Sequence, residues 1–126
     1  MPLNDTQIAD LVAALLTVNS YPLDRADALM PAFRERGLLD PARLRTIPQD
    51  ELVMAIKDAG YQRGGYVPII AFRLGYLMDA IADGNLGSLV GDAQRGDKVA
   101  FIATLSALHG FGPRTAEAAW VLWTAT

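Results

Sequence analysis

Leu108-His109-Gly110-Phe111-Gly112-Pro113-Arg114-Thr115-Ala116 sets two glycines, two residues apart, between two apolar segments of helical period. Glycine admits positive φ or close backbone approach, so the pair writes a tight turn rather than a continuing helix. Pro113 stands where a first-turn proline costs nothing, since its missing N–H would go unpaired anyway. The N–H groups of Arg114 and Thr115 then point out of the new helix's N-terminus, where the helix dipole favours an anion. The Arg114 guanidinium and the Thr115 hydroxyl add charge and a hydrogen bond. The turn is thus a candidate grip for a phosphate backbone that reads no base sequence. The competing reading is an ordinary glycine-bearing connection between two helices.

Upstream, apolar residues recur at helical spacing almost everywhere. Ile8, Leu11, Val12, Leu15 and Leu16 form one stripe, and Asn4 with Gln7 three residues on predicts a capping box at its start. A second helix is expected from Pro22 to about Arg36, bent or split by Pro31 and stopped by Gly37. A short third helix runs from Asp40-Pro41 through Leu44, and a fourth from Gln49 to Ala59 before Gly60. The fifth spans about Gly65 to Ala82, with Ile70, Leu74, Leu77, Met78 and Ile81 on one face. Residues 84–97 are the longest weakly patterned stretch, with room for one short helical turn. Asp97 is the expected cap of a sixth helix that turns Phe101, Ile102, Leu105 and Leu108 inward. Asp92 and Asp97 both read as helix capping and loop solvation. Pro113 opens a seventh helix with Ala116, Ala119, Trp120 and Trp123 on one side. At that spacing the tryptophans read as core rather than as base-stacking groups. No strand pattern of useful length is present. The expected class is all-α, one domain over 1–126, a compact orthogonal bundle of about seven helices with short connections.

The 126 residues are enough to bury a core. No apolar run approaches the ~20 residues of a membrane span, and the Met1-Pro2-Leu3-Asn4-Asp5 start lacks the pattern of a secretory signal. No membrane partner and a cytoplasmic location are the expectations. The absence of cysteine excludes disulfides, thiolate zinc and cysteine-ligated clusters. His109 is the single histidine, so a histidine-based metal site is not expected; no metal and no cofactor are assigned. Net charge is −3, which counts mildly against nucleic acid. Nine of the eleven basic residues are arginine, the better fork for phosphate, although high-GC codon usage would give the same bias.

The hairpin stretch resembles the helix-hairpin-helix of the endonuclease III-like DNA glycosylase superfamily, which reads there as Leu-Pro-Gly-Val-Gly, a variable residue, then Lys-Thr-Ala. The resemblance extends upstream. Leu11-Val12-Ala13-Ala14-Leu15-Leu16-Thr17-Val18-Asn19-Ser20 is similar to that family's first barrel helix, which ends in Leu-Leu-Ser-Ala-Gln. Gly37-Leu38-Leu39-Asp40-Pro41, Glu51-Leu52 through Ile56, and Ala59-Gly60-Tyr61 match the segment before its Gly-Phe/Tyr-x-x-x-Lys-Ala element. Order and spacing agree over roughly residues 8 to 124. The resemblance implies the six-helix barrel half of that fold, with its helix-hairpin-helix at about 98–124. It implies DNA contact through Gly110, Gly112, Arg114 and Thr115. It also places His109 at the hairpin's proline position and Asn19 where the family carries a glutamine that enters the space of a flipped base.

The departures concern catalysis. The lyase members' lysine nucleophile falls on Arg114, whose guanidinium stays protonated and does no amine chemistry. The family's lysine after Gly60-Tyr61 falls on Gly65. Its catalytic aspartate lies beyond the second hairpin helix, where this sequence offers no match, and no catalytic residue is assigned. Three functions follow. One is a DNA-binding module of glycosylase ancestry without base excision of its own. Another is a minimal glycosylase or base-modifying enzyme whose site is completed by another chain or by a further C-terminal part. The third is a protein-interaction domain that has lost DNA. Without the family's second half, apolar surface near Trp120 and Trp123 is expected to be open to a homodimer or a partner protein.

Overall fold

A computed structural model describes residues 3–125; Met1, Pro2 and Thr126 of the expected 1–126 domain lie outside the described residues. The first helix, α1 (Asp5–Leu16), begins on the expected capping box. The Gln7 N–H donates to Asn4 Oδ1 at 2.8 Å, and the Asn4 N–H donates to Gln7 Oε1 at 2.9 Å. From Ile8 onward α1 is buried on almost every side, Asp10 excepted, so it is the axis of the molecule rather than a surface helix.

Three of the later helices pack directly on that axis, and the rest build outward from them. The expected 22–36 helix is two pieces, α2 (Leu23–Ala28) and α3 (Met30–Glu35), broken at Leu29. Pro31 is the cause, because it supplies no N–H and its ring excludes the carbonyl a turn earlier. Short α4 (Pro41–Leu44) is capped by Asp40 Oδ1, which accepts from the Ala42 N–H at 3.1 Å. Then come α5 (Gln49–Asp58) and the long α6 (Tyr66–Ala82), which pack on each other, with α6 also against α1. Ile70, Leu74, Leu77 and Met78 of α6 are buried as their spacing predicts, and Ile81 is partly buried.

The structure corrects the sequence reading at 84–97. This stretch contains a full helix, α7 (Ser88–Gln94), rather than one turn in a loop. Seven residues are too few to hold a helix by propensity. Burial of Leu86 and Leu89 in the common core holds it instead. Asp92 is likewise no loop or cap residue. It is buried within α7, where its Oδ1 accepts from Arg95 Nη2 at 2.6 Å. Asp97 does cap the next helix, α8 (Lys98–Ser106), accepting from the Ala100 N–H at 3.1 Å. The last described helix, α9 (Pro113–Thr124), packs on both α8 and α1. The described residues thus form nine α-helices and no strand, an all-α fold.

Trp120 and Trp123 pack edge-on to the buried Phe101 ring at 5.2 and 5.3 Å, as core residues do. The Trp123 indole N–H donates to the Gln7 carbonyl at 3.2 Å, tying α9 to α1. No helix among the described residues is long and apolar enough to cross a membrane.

Candidate functional site

The turn between α8 and α9 is built as its glycines suggest, with one difference. Gly110 has φ +101°, a conformation that side chains avoid. Phe111 is buried and donates its N–H to the Leu108 carbonyl at 3.1 Å, which pins the turn to the core. Gly112 is the exception: with φ −94° and ψ 178° it is ordinary extended backbone, so positive φ is not the reason for a glycine there. A Cβ at Gly112 would meet nothing within 4 Å. The space in front of it is an open cleft.

The cleft has a volume of about 790 Å³ and three walls. One wall is the turn and the first residues of α9, Gly110 through Thr115. Gly112 stands at the N-cap with no side chain to close the helix end, and Pro113 at the first position has no N–H. The first intrahelical bond runs from the Ala116 N–H to the Gly112 carbonyl at 2.9 Å. The N–H groups of Arg114 and Thr115 therefore remain at the helix end without a side-chain cap, and the positive end of the α9 dipole faces the cleft. Arg114 is exposed, whereas Thr115 is almost wholly buried.

The second wall is residues 17–20, a hook that reverses the chain after α1. Asn19 and Ser20 both hold left-handed backbone, φ +58° and +70°. Neither is glycine, so the surroundings must maintain this conformation. Arg63 does so. Its Nη1 donates to the Val18 carbonyl at 2.5 Å and its Nη2 to the Asn19 carbonyl at 3.2 Å. Its guanidinium also lies over the Tyr66, Tyr21 and Tyr61 rings, at 4.9, 5.3 and 5.9 Å from their centroids. The Tyr61 hydroxyl donates to the Leu16 carbonyl at 2.9 Å, satisfying one of the last acceptors of α1. Burial pushes the Tyr61 phenol up, ahead of the opposing pull of Arg63, so it keeps the proton that this bond requires.

Arg73 forms the third wall. It is the one charged residue between Tyr66 and Met78 of α6. The cleft thus carries two guanidiniums, Arg73 and Arg114, and no carboxylate among the described residues lines it, although the whole chain is net acidic.

Five of the six residues assigned to DNA contact from sequence line this one cleft: Asn19, Gly110, Gly112, Arg114 and Thr115. Asn19 belongs to a different part of the chain from the hairpin, and the fold brings the two together. His109 is not among the lining residues. It is exposed and sets its ring edge-on to Tyr76, with centroids 5.0 Å apart. Sequence reasoning misses Arg73 and Arg63. The available signal for Arg73 is a lone cation inside an apolar helical run. Nothing local marks Arg63, because its partners lie more than forty residues away in the chain.

No protein-family description, no curated protein and no solved structure matches this chain.

Proposed function

We propose that this chain is a DNA-binding module that grips duplex backbone phosphate in the cleft and performs no base excision of its own. The observation that carries the reading is the pairing of Arg73 and Arg114 with the uncapped N-terminus of α9 in a cleft that no carboxylate among the described residues lines. Guanidinium forks and helix-end N–H groups are the usual donors to phosphate oxygens. They fix a backbone without reading bases, which accords with a site that places few base-specific groups. The hairpin resemblance to DNA glycosylases supports the same assignment. Catalysis is left out because Arg114 cannot act as an amine nucleophile, and no carboxylate among the described residues lines the cleft to activate a water.

The test is a titration of labelled duplex DNA at several salt concentrations. Removing one cation that neutralises a phosphate should reduce the slope of log K against log salt by about 0.9. Arg73→Glu and Arg114→Glu should each weaken binding at all salts and flatten that slope. Equal binding by wild type and both variants would remove the proposal.

A second reading is association with another chain through apolar residues exposed on α8 and α9. Val99 and Val121 are exposed there, at 80% and 49%. Light scattering that gives a monomer, together with no partner recovered at micromolar concentration, would end it.

A further inference from the structure

The outer face of α6 carries three exposed apolar side chains at helical spacing, Ile69, Phe72 and Tyr76. Phe72 is 61% exposed and Tyr76 47%. Their rings stack with centroids 6.4 Å apart and planes 30° apart. The His109 ring also meets Tyr76, edge-on at 5.0 Å. Single exposed apolar residues need no explanation, but a contiguous aromatic patch does. The core makes no use of these rings, whereas it does absorb Trp120 and Trp123.

The neighbours of this patch define what suits it. Arg73 follows Phe72 in sequence and lies one turn from Tyr76, and it also lines the cleft. Its side-chain stem runs against Gly110, within 3.1 Å of where a Cβ would stand. His109, on Tyr76, is the residue before Gly110. The patch and the cleft therefore share a border formed by Arg73 and by His109-Gly110. Asp79, one turn from Tyr76 and beside both rings, is engaged by Arg45 at 3.3 Å, and Asp83 by the same guanidinium at 3.0 Å. A ligand held by phosphate in the cleft would carry its neighbouring groups over flat apolar rings. In a nucleic acid the phosphate joins a sugar, and the sugar carries a base. A paired base is stacked inside its duplex and offers no face, whereas an unpaired base does.

Resting on the phosphate-grip reading above, we propose that Phe72 and Tyr76 form a stacking shelf for unpaired bases beside the cleft. The preferred substrate class is then DNA in which a duplex passes into a single strand. Affinity for the duplex part belongs to Arg73 and Arg114, and the preference for the junction belongs to the shelf.

Fluorescence anisotropy with two labelled duplexes separates these contributions. One duplex is blunt and the other carries a short single-stranded thymidine tail. For wild type the tail should raise affinity about tenfold, within the range that one stacked base provides. Phe72→Ala should abolish that advantage and leave blunt-duplex affinity within about twofold, because stacking on a free base face is all it removes. Phe72 is exposed, so the variant should keep the wild-type far-ultraviolet circular dichroism spectrum. No tail advantage in wild type, or an undiminished one in Phe72→Ala, with blunt binding intact, overturns the shelf and leaves the phosphate grip standing. Failure of wild type to bind either duplex removes both. A wild-type dimer seen by sedimentation, dissociated by Phe72→Ala without change in the tail advantage, assigns the patch to a second copy and overturns the proposal.

Discussion

Arg73 lies directly across Gly110: a Cβ added to Gly110 would stand 2.8 Å from the Arg73 Cγ and 3.0 Å from its Cβ. The turn glycine therefore makes room for a cation from another helix as well as providing positive φ. Gly110→Ala should destabilise the fold by about 2 kcal/mol, because left-handed backbone and a displaced side chain act together. Urea unfolding measures this. The same variant should bind duplex DNA more weakly, since Arg73 must leave the cleft wall. Gly112→Ala is the contrast. It has ordinary φ and open space before it, so stability should change little.

Arg63 is a second test of construction. Its two carbonyl partners sit on the hook, and no other side chain among the described residues donates to them. Arg63→Met keeps much of the stem and removes those donors. A destabilisation of about 2 kcal/mol is expected, in the range for hydrogen bonds to a charged group. Amide hydrogen exchange should show opening concentrated at residues 17–20. Uniform deprotection across the molecule would argue against a local role.

Asp10 provides a pH dependence. Burial first, and the negative charge of Asp27 second, push its carboxyl up to about 6. The folded state thus holds this proton more tightly than the unfolded chain does. The favourable contribution is complete below the unfolded value of 3.8 and is lost as pH rises through 6. Asp10→Asn should therefore stabilise the protein at pH 7.5 by about 1 kcal/mol, less than the full shift implies because the group keeps contact with water. At pH 3 the variant should have little advantage. Thermal unfolding at the two pH values decides the matter.

The capping box at α1 gives the fourth prediction. Asn4→Ala removes the acceptor of the Gln7 N–H and should cost about 1 kcal/mol. The melting temperature should fall by about 4 °C in a chain of this size. The variant should leave DNA affinity unchanged, since Asn4 is remote from the cleft lining.

The helices legible in the sequence are those whose signals are local. Asn4, Asp40 and Asp97 announce their helix starts through side-chain caps, and Gly37 and Gly60 end theirs with positive φ. Helix α7 is illegible because two leucines, Leu86 and Leu89, hold it through tertiary burial, and two residues make no periodic signal. The same distinction divides the cleft. Its hairpin wall is written in one short run, from Gly110 to Thr115. The hook's left-handed Asn19 and Ser20, by contrast, depend on Arg63, and the third wall depends on the α6 residue Arg73 reaching the turn. Such pairings exist only once the chain has folded. Nothing in the sequence around Asn19 points it toward Gly110.

The bond from the Trp123 indole to the Gln7 carbonyl has a kinetic meaning as well. Helix α1 is made before the other described helices, yet one of its apolar sides stays uncovered until α9 arrives. Joining groups 116 residues apart requires the intervening chain to be ordered first, or its loop entropy to be overcome at once. The core therefore cannot be completed progressively as the chain emerges from a ribosome. The side of α1 that α9 covers stays open until α9 is released.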